Sequence, residues 1–133
     1  MNSPSEFRWI SEPVVHAIHN EQIARHGGLP GIRDIGLLES ALARPKNLFL
    51  YEGTSLAQCA ASYMYGIVRN HPFLDGNKRT GFVVGVTFLI LNQHYVEVSE
   101  AEVVVEILNL ANGNTSEEAI ELWLRRIITP LKN

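Results

Sequence analysis

Residues 71–81 read HPFLDGNKRTG. His71, Asp75, Asn77, Lys78 and Arg79 bring a base, a carboxylate, an amide and two cations into one short stretch with apolar flanks. Charged groups set among apolar ones either satisfy one another or wait for a ligand. A histidine, whose ordinary pKa lies near neutrality, takes a proton from an incoming hydroxyl. A carboxylate four residues on can hold a magnesium ion that bridges phosphates. Asn77 can orient either the loop or a phosphate. Gly76 allows close approach of a ligand or a backbone angle that other residues resist. These are the parts of nucleotide phosphate chemistry: base, metal ligand, anion nest and clamp.

The elements around this stretch must position it. A helix is expected from Asn77 or Lys78 to Asn92, which puts Lys78 and Arg79 in its first turn. Acidic residues usually stand there, against the positive end of the dipole. Two cations instead imply negative charge supplied from outside, and phosphate suits both a helix N-terminus and the arginine fork. Phe82, Val83, Val86 and residues 88–91 leave this helix little polar face, which reads as the central helix. Gly81 and Gly85 would permit a close crossing. Each part also has a plain structural reading: a histidine before proline, an Asp-Gly-Asn turn, a solvated Lys-Arg pair. The residues alone leave both readings open. The glycine spacing is not that of a P-loop, and no His-Glu-x-x-His occurs.

Upstream, a first helix is expected from Ser11 to His26, with Ser11 as cap, Pro13 in its first turn and Val14, Ile18 and Ile23 as its apolar face. GGLPGIRD is a glycine- and proline-rich loop. Asp34 caps a short second helix, Ile35 to about Arg44, ended by Pro45. Residues 45–54 have no helical rhythm and read as a loop or short extended flap. Ser55 with Gln58 opens a third, Ala-rich helix to about Arg69. Residues 95–98 suit a short extended segment. Ser99 with Glu102, and Thr115 with Glu118, read as capping boxes of two further helices, ending near Asn112 and Ile128. The expectation is all-α: a compact six-helix bundle with a short flap, one domain over 1–133 with its core at about 10–128.

The 133 residues suffice for one domain without a disulfide or metal staple. Cys59, the only cysteine, excludes an intrachain disulfide and a cysteine zinc site, and its apolar run reads as core. A net charge of −3 argues against direct nucleic-acid binding. No apolar run reaches the roughly eighteen residues of a membrane span, and no signal-peptide core opens the chain. A cytoplasmic protein is expected.

His71-Pro72-Phe73-Leu74-Asp75-Gly76-Asn77-Lys78-Arg79-Thr80 resembles the signature of the Fic/Doc (Fido) superfamily, His-x-Phe-x-Asp/Glu-Gly/Ala-Asn-Gly/Lys-Arg, and in particular its death-on-curing branch. Gly27-Gly28-Leu29-Pro30-Gly31 with Arg33 and Asp34, Ala43-Arg44-Pro45, Tyr51, the helix to Asn70, and Phe88-Leu89 before Asn92 extend the resemblance over residues 10–128.

The resemblance implies an ATP- and magnesium-dependent transferase. Fic proteins pass the AMP part of ATP to a protein hydroxyl and usually carry glycine where this chain has Lys78. The death-on-curing toxins share the lysine, bind the nucleotide the other way round, and pass its terminal phosphate to a threonine of elongation factor Tu. Lysine fills the room that glycine leaves for phosphates, which disfavours the AMP-transfer pose. Gly76 is the Fic-like member of the pair.

The implied roles are general base for His71, metal and phosphate placement for Asp75, and phosphate binding for Gly76, Asn77, Lys78 and Arg79. Arg69 is a further candidate for the phosphate pocket, and Leu48, Phe49, Leu50 and Tyr51 for target docking. The Fic inhibitory pattern, Ser/Thr-x-x-x-Glu-Gly/Asn, is absent. The implied silencer is instead a separate antitoxin, itself the DNA-binding partner in a type II toxin–antitoxin pair. A protein adenylyltransferase and a non-catalytic nucleotide- or protein-binding module are the alternatives.

Overall fold

The computed structural model describes residues 6–131; residues 1–5 and 132–133, included in the single-domain expectation, lie outside them. The element order is α1 (Glu12–His26), α2 (Ile35–Glu52), α3 (Leu56–Asn70), α4 (Asn77–Leu91), β1 (His94–Val96), α5 (Glu100–Ala111), α6 (Glu117–Ile127) and β2 (Ile128–Pro130). This is the expected six-helix bundle. Of the extended segment expected at 95–98, Tyr95 and Val96 fall in β1, which pairs antiparallel with β2, Tyr95 opposite Thr129. No helix among the described residues is long and apolar enough to cross a membrane.

The centre is α3, not α4 as the apolar content of α4 suggested. Ten of the fifteen α3 residues are buried, among them Ala57, Ala60, Ala61, Ser62 and Gly66. Small side chains let neighbours approach from every side, whereas α4 leaves Ile90 and Leu91 exposed on its outer face. The close crossing expected at Gly81 and Gly85 is there. A Cβ on Gly81 would stand 2.7 Å from Val68 Cγ2, and one on Gly85 2.5 Å from Met64 Cε. On the other flank, a Cβ on Gly66 would meet that of Ala41 on α2 at 3.0 Å.

The second helix corrects the reading of residues 45–54. It runs through Pro45 to Glu52 and stops at Gly53, in the left-handed conformation (φ 64°). Proline inside a helix forfeits a backbone hydrogen bond and costs about 3 kcal/mol. Here Pro45 lies on the buried stripe Leu38–Ala41–Pro45, so packing outweighs propensity. The expected flap is therefore the last two turns of α2.

The caps of α2, α3 and α5 follow the sequence: Asp34 Oδ1 accepts from Leu37 N, Ser55 Oγ from Gln58 N and Ser99 Oγ from Glu102 N. Glu102 does not complete its box but accepts from Trp123 Nε1 at 2.8 Å. Ser116, not Thr115, caps α6. Ser11 holds the cap position of α1 without a side-chain hydrogen bond. The buried stripe of α1 is Val15, His19 and Gln22, while Val14 is exposed. Cys59 is buried as expected, with its thiol pushed up by burial and 3.3 Å from Thr54 Oγ1.

Candidate active site

The loop between α3 and α4 is fixed from both ends. His71 is the left-handed C-cap of α3 (φ 55°, ψ 54°), its N–H donating to Ile67 O. Such a φ is uncommon outside glycine. Gly76, also left-handed (φ 78°), stands at the N-cap of α4. Between them Asn77, 3% exposed, clasps Phe73: its Nδ2 donates to Phe73 O at 3.0 Å, and its Oδ1 accepts from Phe73 N at 2.9 Å. Of the two tasks open to Asn77, orienting the loop is the one its amide performs here. Phe73 is fully buried.

The glycine- and proline-rich loop after α1 lies along this loop and is joined to it by backbone bonds. Arg33 N and Asp34 N donate to Pro72 O, Leu74 N donates to Gly31 O, and Ile32 and Phe73 form an antiparallel bridge. Arg33 reaches past them, donating to His71 O at 2.6 Å and Asn70 O at 2.8 Å. Leu29 N donates to Asp75 Oδ2 at 2.9 Å, and Arg79 donates to Gly27 O at 3.2 Å.

Together the two loops line an open cavity of about 320 Å³ with His26, Gly27, Gly28, His71, Asp75, Gly76, Asn77, Lys78 and Arg79. Every residue of the motif that was expected to do chemistry is brought to this one cavity. His71, Asp75, Lys78 and Arg79 are exposed in it. The first turn of α4 contains no acidic residue, and Gly76 offers no side chain to cap it. The helix start and two cations are groups that an anion would satisfy, with two histidines beside them. One carboxylate interrupts them.

That carboxylate bears on the metal expectation. No group of three or more His, Cys, Asp or Glu among the described residues could hold an ion. Magnesium does not need one, since it is commonly bound by one or two carboxylates with substrate phosphates and water completing the shell. Asp75, with one oxygen engaged by Leu29 N and the other without a hydrogen bond among the described residues, fits that use.

Two expectations are not met by the geometry. Arg69 does not point into the cavity. Its guanidinium lies 5.9 Å from the Tyr65 ring centre, donates to Leu110 O at 3.4 Å and sits against Gly113. Residues 48–51 are not beside the loop either. Because α2 continues through Pro45, they lie at its far end, roughly 20 Å of helix from the Asp34 end that touches the loop. Phe49 packs on Phe7 and Trp9, while Leu50 and Tyr51 are exposed. Conversely, sequence reasoning missed His19 and His26. His19 shares the i, i+4, i+7 stripe of Val15 and Gln22, and two of these three members are polar, so an apolar count along α1 passes over the stripe.

A histidine, a carboxylate and two cations over a bare helix N-terminus are groups whose chemistry suits phosphate. The sequence profile described as the Fic/DOC family matches residues 9–89, and the chain belongs to that family. A relative named "Protein kinase doc", from Escherichia phage P1, is 33% identical over 122 residues, which cover 90% of this chain and 95% of the relative. A second, named "Toxin Doc", from Mycolicibacterium smegmatis, is 40% identical over 68 residues, half of this chain and 52% of that protein. Both place the chain in the Doc branch. Membership supports a transferase activity of the Fic/Doc type, phosphoryl or nucleotidyl, a chemistry for which the family generally uses ATP and magnesium.

Proposed function

We propose that residues 1–133 form one Fic/Doc domain that acts as a Doc-type protein kinase toxin, moving the terminal phosphate of ATP to a threonine or serine hydroxyl. The observation that carries this reading is Lys78 beside Arg79 at the bare start of α4, in the same cavity as His71. Cations at that position have no partner of opposite charge on their own turn, and a nucleotide's phosphates supply it.

In this reading His71 takes the proton of the target hydroxyl. The hydroxyl oxygen bonds to the terminal phosphorus, and the bond from that phosphorus to the bridging oxygen breaks, leaving ADP. Lys78 and Arg79 hold the phosphate charge that shifts toward the leaving oxygen. Asp75 would hold magnesium, which supplies neutralisation of phosphate charge. Asn77 serves by holding Phe73, and so the loop that carries His71 and Asp75. The relatives' names, a protein kinase and a toxin, favour the kinase and toxin parts of the reading. The resemblance of the motif adds the rest as expectations: a cytoplasmic protein, a cognate antitoxin that silences it, elongation factor Tu as the expected target, and no direct contact with nucleic acid or membrane. AMP transfer is the second reading, and Gly76 favours it.

Intact-mass analysis of elongation factor Tu after incubation with the protein, ATP and magnesium, beside a His71→Ala control, tests both. A gain of about 80 Da, one phosphoryl group, lost in the control, is the expected result. A gain of about 329 Da, one AMP, would replace the kinase reading with the adenylyltransferase. No gain of either kind would remove elongation factor Tu as the target.

A further inference from the structure

Of the three histidines on α1, His19 alone is buried, at 2% exposure. Its ring lies flat on Phe73, centres 3.8 Å apart and planes 8° apart. Its Nε2 is 2.8 Å from the main-chain oxygen of Asp75. A carbonyl only accepts, so Nε2 carries the hydrogen. A hydrocarbon of the same size would cover Phe73 as well. Holding the Asp75 carbonyl is the task that needs an imidazole.

That carbonyl sits at a decisive peptide. The bond from Asp75 to Gly76 is trans, so the Gly76 N–H points opposite to the Asp75 C=O. With the C=O drawn toward His19, the N–H is turned away from α1. Gly76 lines the cavity and His19 does not. The Asp75 side chain is held separately, by Leu29 N on its Oδ2. The residue is thus fixed at its main chain by α1 and at its carboxylate by the following loop.

We propose that His19 is a positioning residue of the transfer reaction. Its Nε2–H holds the Asp75–Gly76 peptide so that the Asp75 carboxylate and the Gly76 amide both face the phosphates. This rests on the phosphoryl-transfer reading above. Only the hydrogen bond is needed for this role, and two substitutions separate it from the stacked ring. His19→Phe keeps the ring on Phe73 and loses the donor. His19→Gln loses the ring and keeps an N–H of similar reach.

The first readout is hydrogen exchange of the Leu29 amide in the ligand-free protein, which reports the Asp75 carboxylate without any activity. In His19→Phe it should exchange about tenfold faster, with the α3 amides unchanged, and in His19→Gln it should stay near wild type. Unchanged Leu29 exchange in His19→Phe would overturn the proposal. So would equal acceleration in both variants, which would assign the effect to the stacked ring, or loss of α3 protection in both, which would make His19 a core residue only.

The second readout is calorimetric titration with ATP and magnesium. Binding about tenfold weaker in His19→Phe and restored in His19→Gln is expected. Equal affinity in wild type and His19→Phe would sever His19 from the reaction. Absence of binding in the wild type would instead remove the phosphoryl-transfer reading, and the exchange result would then judge the hydrogen bond by itself.

Discussion

Asn77 and Phe73 are joined by two hydrogen bonds that close a ring over residues 73–77, the turn leading into α4, one in each direction between the side-chain amide and the main chain. Both groups of Phe73 are buried and have no water to turn to. Asn77→Ala therefore leaves an N–H and a C=O unsatisfied, at a cost of about 2–4 kcal/mol. The melting temperature should fall accordingly in a thermal scan. Asn77→Asp keeps the acceptor for Phe73 N but sets a carboxylate oxygen against Phe73 O, and should also destabilise. A full loss of nucleotide binding by Asn77→Ala at an unchanged melting temperature would move Asn77 from the loop to the ligand.

Arg33 performs the matching task at the other end of the loop. Its two hydrogen bonds reach the carbonyls of Asn70 and His71, where α3 has no further turn to satisfy them. A cation there also suits the negative end of the helix. Arg33→Ala should lower stability by about 1 kcal/mol, because the side chain is exposed. The larger effect should be on the left-handed His71, seen as shifted imidazole resonances and a reduced transfer rate. Lysine should restore little, since one ammonium does not reproduce the fork. Unshifted His71 resonances in Arg33→Ala would show that the loop holds its shape unaided.

The difference between what could and could not be read in the sequence has a physical pattern. Local signals worked: Asp34, Ser55 and Ser99 announce helix starts because a cap acts within three residues. Gly81 and Gly85 announced a close crossing because a missing side chain has a meaning wherever it falls in a helix. Pro45 misled, because the stripe Leu38–Ala41–Pro45 holds α2 together only once α3 is packed on it. The same cause misplaced residues 48–51. Which helix is central depended on small residues in α3 rather than large ones in α4. The loop motif was legible as a set of chemical groups. The task of Asn77, the direction of Arg69 and the presence of His19 and His26 were set by contacts distant in sequence.

Tyr63 gives the fold an alkaline limit. Its phenol is fully buried and accepts from Ile10 N at 3.0 Å. Burial pushes its pKa up to about 12, more than the Ile10 N–H lowers it. In the unfolded chain it ionises near 10. Below pH 10 both states keep the proton and nothing is lost. Between pH 10 and 12 the unfolded state releases its proton first, so stability falls as pH rises, by on the order of 2 kcal/mol. Tyr63→Phe should be less stable at pH 7, having lost the bond to Ile10 N, and should show a smaller decline from pH 10 to 12. Urea unfolding of both proteins across that range checks the sign. Parallel curves would mean that Tyr63 does not set the alkaline slope.

In the proposed kinase reading, Lys78 is the residue at which phosphoryl and AMP transfer should part. It is exposed, lines the cavity and stands in the first turn of α4 with no acidic neighbour on that turn. A side chain there takes up volume and adds charge at the helix start, where that reading puts a nucleotide's phosphates. Glycine removes both, at a cost of up to about 1 kcal/mol in helix propensity, which a domain of this size tolerates. Lys78→Gly should therefore still bind ATP. Its product on a modified target should shift from a phosphoryl toward an adenylyl group, read as the ratio of the two mass additions. Lys78→Ala separates charge from room: it removes the ammonium but fills part of the space. It should lose phosphoryl transfer without gaining AMP transfer. If Lys78→Gly lowers both products in proportion, the lysine acts as a phosphate clamp alone, and nucleotide orientation is set elsewhere in the cavity.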